Sequence, residues 1–198
     1  AKHEAPQTRN TTHQTHEKKM RPFQFLLPAF LLLFASCDTN KNGPTDTFDR
    51  GALLQNFADN LIRPAYNDLQ SKTLLFHAAV LTFNTTPSVE NLNALQSAWQ
   101  EAYFQWQFAN AYNFGPAGEN GLQKGLIEEI GTFPASTTKI EANLSSGLWN
   151  TSDFNRDARG FPAIEYLIFG SGATAQDIVN VFSQSPNHKA YLVALSEN

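Results

Sequence analysis

The chain has 198 residues, of which 18 are acidic and 14 basic, giving a net charge of −4 at neutral pH. Hydrophobic residues make up 41% of the sequence, enough for the packed core of one domain of ordinary size. The acidic balance excludes a typical nucleic-acid-binding protein, because such proteins present a basic surface to the phosphate backbone.

Residues 1–19 form a polar extension without a methionine. Three of the five histidines of the chain, His3, His13 and His16, lie in it. Because Met20 opens a complete export signal, we interpret residues 1–19 as a non-native extension upstream of the natural start. The alternative is a metal-binding tail, since histidine-rich tracts can bind metal ions.

Residues 20–36 have the pattern of a bacterial lipoprotein signal peptide. Two lysines and Arg21 flank an apolar run, Phe23–Phe34, which has the length of a signal-peptide core and is short for a membrane span. Small residues lead directly into Cys37, the single cysteine of the chain. This order predicts an acylated Cys37 and a lipid-anchored protein of the bacterial cell envelope. The alternative is an ordinary signal peptide followed by an incidental free cysteine.

The polar, turn-rich residues 37–47 predict a flexible tether, so we place the folded domain at 48–198. Its first helix is predicted from Asp49 to Phe83, with a bend at Pro64, whose ring and missing N–H interrupt the helical hydrogen bonds. Apolar residues recur there at alternating spacings of four and three, the pattern of a helix that buries one face. These residues are Ile62, Tyr66, Leu69, Thr73, Phe76, Val80 and Phe83.

A second long helix is predicted after Thr86 and Pro87, which supply an N-cap and a proline at the first helical position. It ends before the Gly-Pro pair at 115–116. Its apolar stripe consists of Leu92, Leu95, Trp99, Ala102, Trp106 and Ala109, so we assign both tryptophans to the core. The short connection predicts an antiparallel hairpin, and further aromatic residues at 103–114 predict a central helix with neighbours on two sides.

The rest of the chain predicts shorter helices. Residues 115–159 are rich in turns, and we expect an irregular connection with functional potential there. Helical segments are predicted at about Leu122–Ile130, Thr137–Leu144, Pro162–Phe169 and Ala175–Ser183, and from Pro186 to the last residues. No segment alternates as a strand. The sequence therefore predicts an all-α, up-down helical bundle.

Residues 160–165 read Gly-Phe-Pro-Ala-Ile-Glu. This motif resembles G-x-H-x-x-E, the signature of the imelysin family of insulin-cleaving membrane peptidases (M75 type), with Pro162 in the position of the histidine. Further segments match in the order seen in imelysin-like proteins, at 63–69, 86–88, 98–99, 106 and 114–116. The resemblance implies a fold of two helical bundles and a role in iron acquisition. This chain would then contain the first bundle and only the start of the second, with an incomplete C-terminus.

A zinc peptidase needs histidine or carboxylate ligands and an open position for water. After removal of the leader only His77 and His188 remain, and the histidine of the motif is absent. We interpret His77 as a structural or surface residue next to the core residue Phe76, with metal ligation as the alternative, and we expect His188 to be exposed. A zinc site of the usual kind would therefore need ligands from outside this chain.

Glu165 is the only charge between Arg159 and Asp177. Phe161 and Phe169 lie one helical turn away on either side, so we expect apolar surroundings and, for an unpaired carboxylate, a raised pKa. Two interpretations are open, a metal or substrate ligand and a buried ion pair. The candidate partners for the ion pair are Arg63, Arg156 and Arg159.

An oxygen-rich site suits a hard cation such as ferric iron. Candidate ligands beside Glu165 are Asp157, Asp153 and Tyr166, with Arg159 as a neighbouring ligand or ion-pair group. Imelysin-like proteins often carry a glutamate near the end of the second helix, where this chain has Asn110. An amide can form hydrogen bonds but cannot act as a general base.

These observations predict a non-enzymatic envelope lipoprotein that binds iron, another metal ion or a small ligand and is linked to iron uptake. The retained Gly160 and Glu165 without the histidine argue against a peptidase. The alternatives are an active M75-type metallopeptidase and a structural or partner-binding lipoprotein. Expected partners are the ligand, the membrane through the lipid anchor, and an envelope transport protein, but no nucleic acid.

Overall fold

The computed structural model describes residues 47–120, 124–150, 153–170 and 174–197. The predicted extension, signal peptide, Cys37 and nearly all of the tether lie outside the described residues. A compact unit begins at Asp49. Helices and turns account for the described elements, and no β-strand occurs among them, which confirms the all-α prediction.

The first helical segment contains a π-helical turn just before its proline. Helix α1 (Arg50–Phe57) begins after Asp49, whose carboxylate accepts a hydrogen bond from the Ala52 N–H at 2.8 Å. The π-helical turn (Ala58–Ile62) follows, and helix α2 (Arg63–Thr85) continues from it. A π turn includes an extra residue, and it lies where Pro64 offers no N–H for the helical ladder. The interruption was predicted at this position as a bend.

Helix α3 (Val89–Ala109) pairs with α2 in the predicted hairpin. Its N-cap is Ser88, which accepts a hydrogen bond from the Asn91 N–H at 3.1 Å, so the prediction of Thr86 as the cap was wrong by two residues. The predicted stripe of α3 is buried over its whole length, including both tryptophans. Besides α2, this helix contacts two of the helices described next, which confirms its central place. Phe104 and Phe108, however, are 62% and 53% exposed.

Shorter elements complete the fold in the order helix α4 (Leu126–Ile130), helix α5 (Thr137–Ser146), a 3₁₀ turn (Asp153–Ala158), helix α6 (Gly160–Phe169), helix α7 (Ala175–Gln184) and helix α8 (Pro186–Glu197). Thr174 and Asp177 form the capping box of α7. Because the Thr174 side chain and the Asp177 carboxylate satisfy each other's backbone N–H groups, this helix start is strongly specified. The predicted cap is confirmed.

Helix α6 lies against α3 and α8. Buried Phe161, Ile164, Leu167 and Ile168 form its inner face. The indole N–H of Trp99 donates to the backbone carbonyl of Phe161 at 3.3 Å and ties α3 to the first turn of α6. The hydroxyl of buried Tyr191 on α8 donates to the Ala158 carbonyl just before that turn. The start of α6 is therefore held from two sides.

Candidate functional site

Gly160 begins α6 in a conformation that favours glycine. Its φ is +73°, in the left-handed region, and a Cβ at this position would lie 2.5 Å from the backbone oxygen of Ile130. Both the backbone conformation and the close approach of α4 exclude a side chain here. Pro162 follows in the first helical turn, where the missing N–H is tolerated because that group has no partner within the helix. The glycine of the motif is thus explained by packing.

Arg159, not Glu165, is the buried charge of the motif segment. The Arg159 residue is 8% exposed, and its guanidinium forms an ion pair with the Glu129 carboxylate of α4. The sequence placed Arg159 beside Glu165, as a ligand neighbour or ion-pair partner. The structure instead uses it to join the start of α6 to α4.

Glu165 lies on the exposed face of α6. The expectation of apolar, buried surroundings was wrong, because the inner face is already taken by the four apolar residues named above. Within the described residues no hydrogen bond or ion pair involves the Glu165 carboxylate. Pro162, in the histidine position, lies three residues earlier and is half-buried on the same side of the helix. The two positions of the motif that carry chemistry in G-x-H-x-x-E therefore share one side of α6.

The other predicted ligands are engaged elsewhere. Asp157 forms an ion pair with Lys139 at 2.7 Å, which links the 3₁₀ turn to α5. Arg63 pairs with Asp59 on the first helical segment at 2.8 Å. Neither group meets Glu165 in the described part of the chain, so the ion-pair interpretation of Glu165 finds no partner there. The side chain of Asp153 lies outside the described residues.

Asn110 directly follows α3 and begins a short 3₁₀ turn, Asn110–Tyr112. Its amide oxygen is buried, and no described donor reaches it. This amide remains a candidate ligand neighbour, and no hydrogen bond joins it to Glu165 among the residues described.

A groove of about 590 Å³ lies on the inner side of the motif segment. Gly160, Phe161 and Ile164 form part of its wall together with apolar residues of α2, α4 and α8. His77 lies at this groove, and its Nδ1 is 2.9 Å from the Ser196 hydroxyl. A half-buried histidine with a hydrogen-bond partner agrees with the structural interpretation of His77.

A second cavity, of about 150 Å³, lies near the outer face of α6 between α5, α7 and α8. Tyr166, Glu141 and His188 line it, and the Tyr166 hydroxyl donates to the Glu141 carboxylate at 2.8 Å. That hydrogen bond raises the pKa of Tyr166, with smaller contributions from burial and from the negative charge of Glu141. His188 is half-buried rather than exposed as predicted. Burial lowers its pKa, and the Glu141 charge opposes this shift.

This cavity was not predicted from the sequence, because Glu141 and His188 are far apart along the chain and come to line one cavity only through packing. A hint was present in Tyr166, which was named as a possible ligand. Among the described residues, no group of three or more His, Cys, Asp or Glu side chains could hold a metal ion.

The sequence profile of the imelysin family, peptidases of the M75 type, matches residues 62–198. The chain belongs to the imelysin family. The match begins at the end of the π-helical turn and includes every helix from α2 to α8. In this imelysin, the motif keeps its structural glycine and its exposed carboxylate but has Pro162 for the histidine.

One relative of this imelysin is the iron-regulated protein A of Synechococcus elongatus. It is 26% identical over 143 residues, which cover 70% of this chain and 36% of the relative. The chain thus spans about a third of the length of the relative. No solved structure matches this imelysin. In the described part of the chain, no helix is both long and apolar enough to cross a lipid bilayer.

Proposed function

We propose that this imelysin is a non-enzymatic metal-binding lipoprotein of the bacterial cell envelope that takes part in iron uptake. The observation that carries the proposal is the state of the motif. Glu165 is exposed and free of partners in the described chain, whereas the histidine position holds Pro162. A carboxylate that serves no packing or ion-pair role is available to a cation, and carboxylates suit hard ions such as ferric iron.

The residues at the motif positions argue against peptide hydrolysis. A catalytic zinc site uses about three protein ligands and an open position for water. Pro162 offers no side-chain donor, and no cluster of three His, Cys, Asp or Glu side chains exists among the described residues. The choice of iron as the ligand has a separate support, because the relative is named for its regulation by iron.

Isothermal titration tests the proposal. Ferric nitrilotriacetate and divalent salts are titrated into wild type, Glu165→Gln and Glu90→Gln. Glu90 is an exposed glutamate in the first turn of α3, so its variant carries the same chemical change away from the motif. We expect wild type and Glu90→Gln to bind and Glu165→Gln to bind at least tenfold more weakly. Absence of binding by wild type, or equal binding by all three, contradicts the proposal.

A metallopeptidase is the second candidate, favoured by the M75 family to which the chain belongs. In that case a denatured protein substrate is cleaved, cleavage stops on addition of a chelator, and Glu165→Gln abolishes it. Our proposal expects no cleavage by wild type under any metal loading.

Anchoring in the envelope rests on the signal-peptide pattern that ends at Cys37. The tether would then link the acidic domain to the membrane anchor, and the domain would deliver its ligand to a transport partner. Cell fractionation checks this part separately. Wild type is expected in the membrane fraction and Cys37→Ala in a soluble envelope fraction, and equal distribution of the two proteins contradicts lipid anchoring.

A further inference from the structure

Three different metal-binding groups line one cavity beside the motif. The phenol of Tyr166, the carboxylate of Glu141 and the imidazole of His188 come from α6, α5 and α8 respectively. The first two are already in contact, with 2.8 Å between the hydroxyl and a carboxylate oxygen. Glu141 is also close enough to His188 for its charge to act on the imidazole. Packing of three helices therefore gathers donors that the sequence scatters.

The ring of His188 is held by two contacts that leave one of its nitrogens without a described hydrogen bond. Its Nδ1 lies 2.8 Å from the Ser185 hydroxyl, and the Phe182 ring packs edge-on at 5.6 Å between ring centres. In the tautomer whose Nδ1–H donates to Ser185, the lone pair of Nε2 is free for a ligand. In metal sites, a histidine ligand commonly donates the N–H of its other ring nitrogen to such a partner, and this hydrogen bond fixes the ring and raises its basicity.

Asp177 also lines the cavity but is committed to another role. Its carboxylate accepts hydrogen bonds from the N–H and the hydroxyl of Thr174, at 3.0 and 2.6 Å, in the capping box of α7. These bonds lower the pKa of Asp177. Glu141 is the carboxylate free to exchange its present partner, since its hydrogen bond comes from the phenol that would itself bind the metal.

We propose that Tyr166, Glu141 and His188 bind a ferric ion at this cavity. The inference rests on the proposed iron-binding function and adds three ligands to the one proposed there, Glu165, which directly precedes Tyr166 on α6. Phenolate and carboxylate oxygens match a hard, highly charged cation, and neutral imidazole is a common iron ligand. On binding, the O–H bond of Tyr166 breaks, its proton passes to solvent, and an iron–phenolate bond forms.

The test uses the full chain and ferric nitrilotriacetate as the iron source. A ferric–phenolate bond produces a charge-transfer absorption in the visible range, which reports directly on a tyrosine ligand. Tyr166→Phe removes only the hydroxyl, and Tyr103→Phe makes the same change at an exposed tyrosine on α3. We expect the band in wild type and Tyr103→Phe and its loss in Tyr166→Phe. Glu141→Gln and His188→Gln are each expected to weaken ferric binding at least tenfold.

Retention of the band and of wild-type affinity in Tyr166→Phe overturns the inference. If ferric binding then depends on Glu165 alone, the proposed function stands without this site. If binding depends on Tyr166, Glu141 and His188 but not on Glu165, the inference stands and the assignment of Glu165 falls. Wild type that binds no ferric ion overturns both. Circular dichroism of each variant distinguishes loss of ligands from loss of fold.

Discussion

At the scale of single residues, Gly160 shows why the motif keeps its glycine. We expect Gly160→Ala to destabilise the protein by more than about 3 kcal/mol, because the left-handed conformation and the clash with the Ile130 backbone both oppose a side chain. Gly115 separates the two effects. It also has a positive φ, +59°, but a Cβ there meets nothing within 4 Å. Gly115→Ala should cost only about 1–2 kcal/mol in urea unfolding, and equal losses for the two variants would contradict the packing argument.

Substitution of the two charged residues of the motif segment should change the free energy of unfolding by different amounts. Glu165→Gln should change the free energy of unfolding by less than about 0.5 kcal/mol, since the side chain is exposed and has no described partner. Arg159→Met removes the partner of Glu129 from a buried position and should cost roughly 1–3 kcal/mol, a value lowered because the Glu129 side chain is 32% exposed. A large loss for Glu165→Gln would instead support a purely structural role for the motif.

His188 makes the stability of the protein depend on pH. Burial lowers its pKa in the folded state, so the unfolded chain takes up a proton at higher pH than the folded chain does. The stability that neutral His188 contributes is therefore present above the unfolded pKa of about 6.5 and is lost as the pH falls below it. Urea unfolding between about pH 7.5 and 5 should show a steeper loss for wild type than for His188→Gln. Identical slopes would refute the assignment.

At the scale of helices, the same substitution should have different costs in α3 and α1. Leu95 is fully buried between helices, whereas α1 has no buried residue and Leu54 is 69% exposed. Leu95→Ala should lower the free energy of unfolding by about 2–5 kcal/mol and Leu54→Ala by less than about 0.5 kcal/mol. Thermal or chemical unfolding of both variants checks this, and comparable losses would mean that α1 packs in solution against a surface absent from this structure.

The hairpin was predictable because its periodicity is local. Every stripe residue predicted for α3 is buried, and the α2 residues Leu69, Phe76, Val80 and Phe83 are buried as predicted. The site was less predictable, since α6 is apolar around most of its circumference and its sequence does not reveal which side faces the core. The position of α6 on its neighbours decides three features of the site. Arg159 is buried, Glu165 is exposed, and Tyr166 forms a hydrogen bond with Glu141. Long-range packing of this kind leaves no periodic signal in a single sequence.

At the scale of the whole molecule, the described part of this imelysin is a helical framework whose motif serves two purposes. Gly160 and Arg159 join α6 to α4. Glu165 lies at the surface, and Tyr166 lines the small cavity. The family and the iron-regulated relative give this imelysin a connection to iron, and Pro162 stands where the signature has its histidine. The protein thus keeps the glycine that lets α6 pack on α4, and the outer side of α6 carries the oxygen atoms of Glu165 and Tyr166.

Titration of ferric nitrilotriacetate into metal-free protein, followed by calorimetry, measures whether Glu165 binds ferric iron. We expect saturable binding by wild type and Glu90→Gln, weakened at least tenfold in Glu165→Gln, and no hydrolysis of a denatured protein substrate by the iron-loaded sample. No binding by wild type, or binding unchanged by Glu165→Gln, would contradict the assignment of this carboxylate. Chelator-sensitive hydrolysis by wild type would contradict the non-enzymatic role.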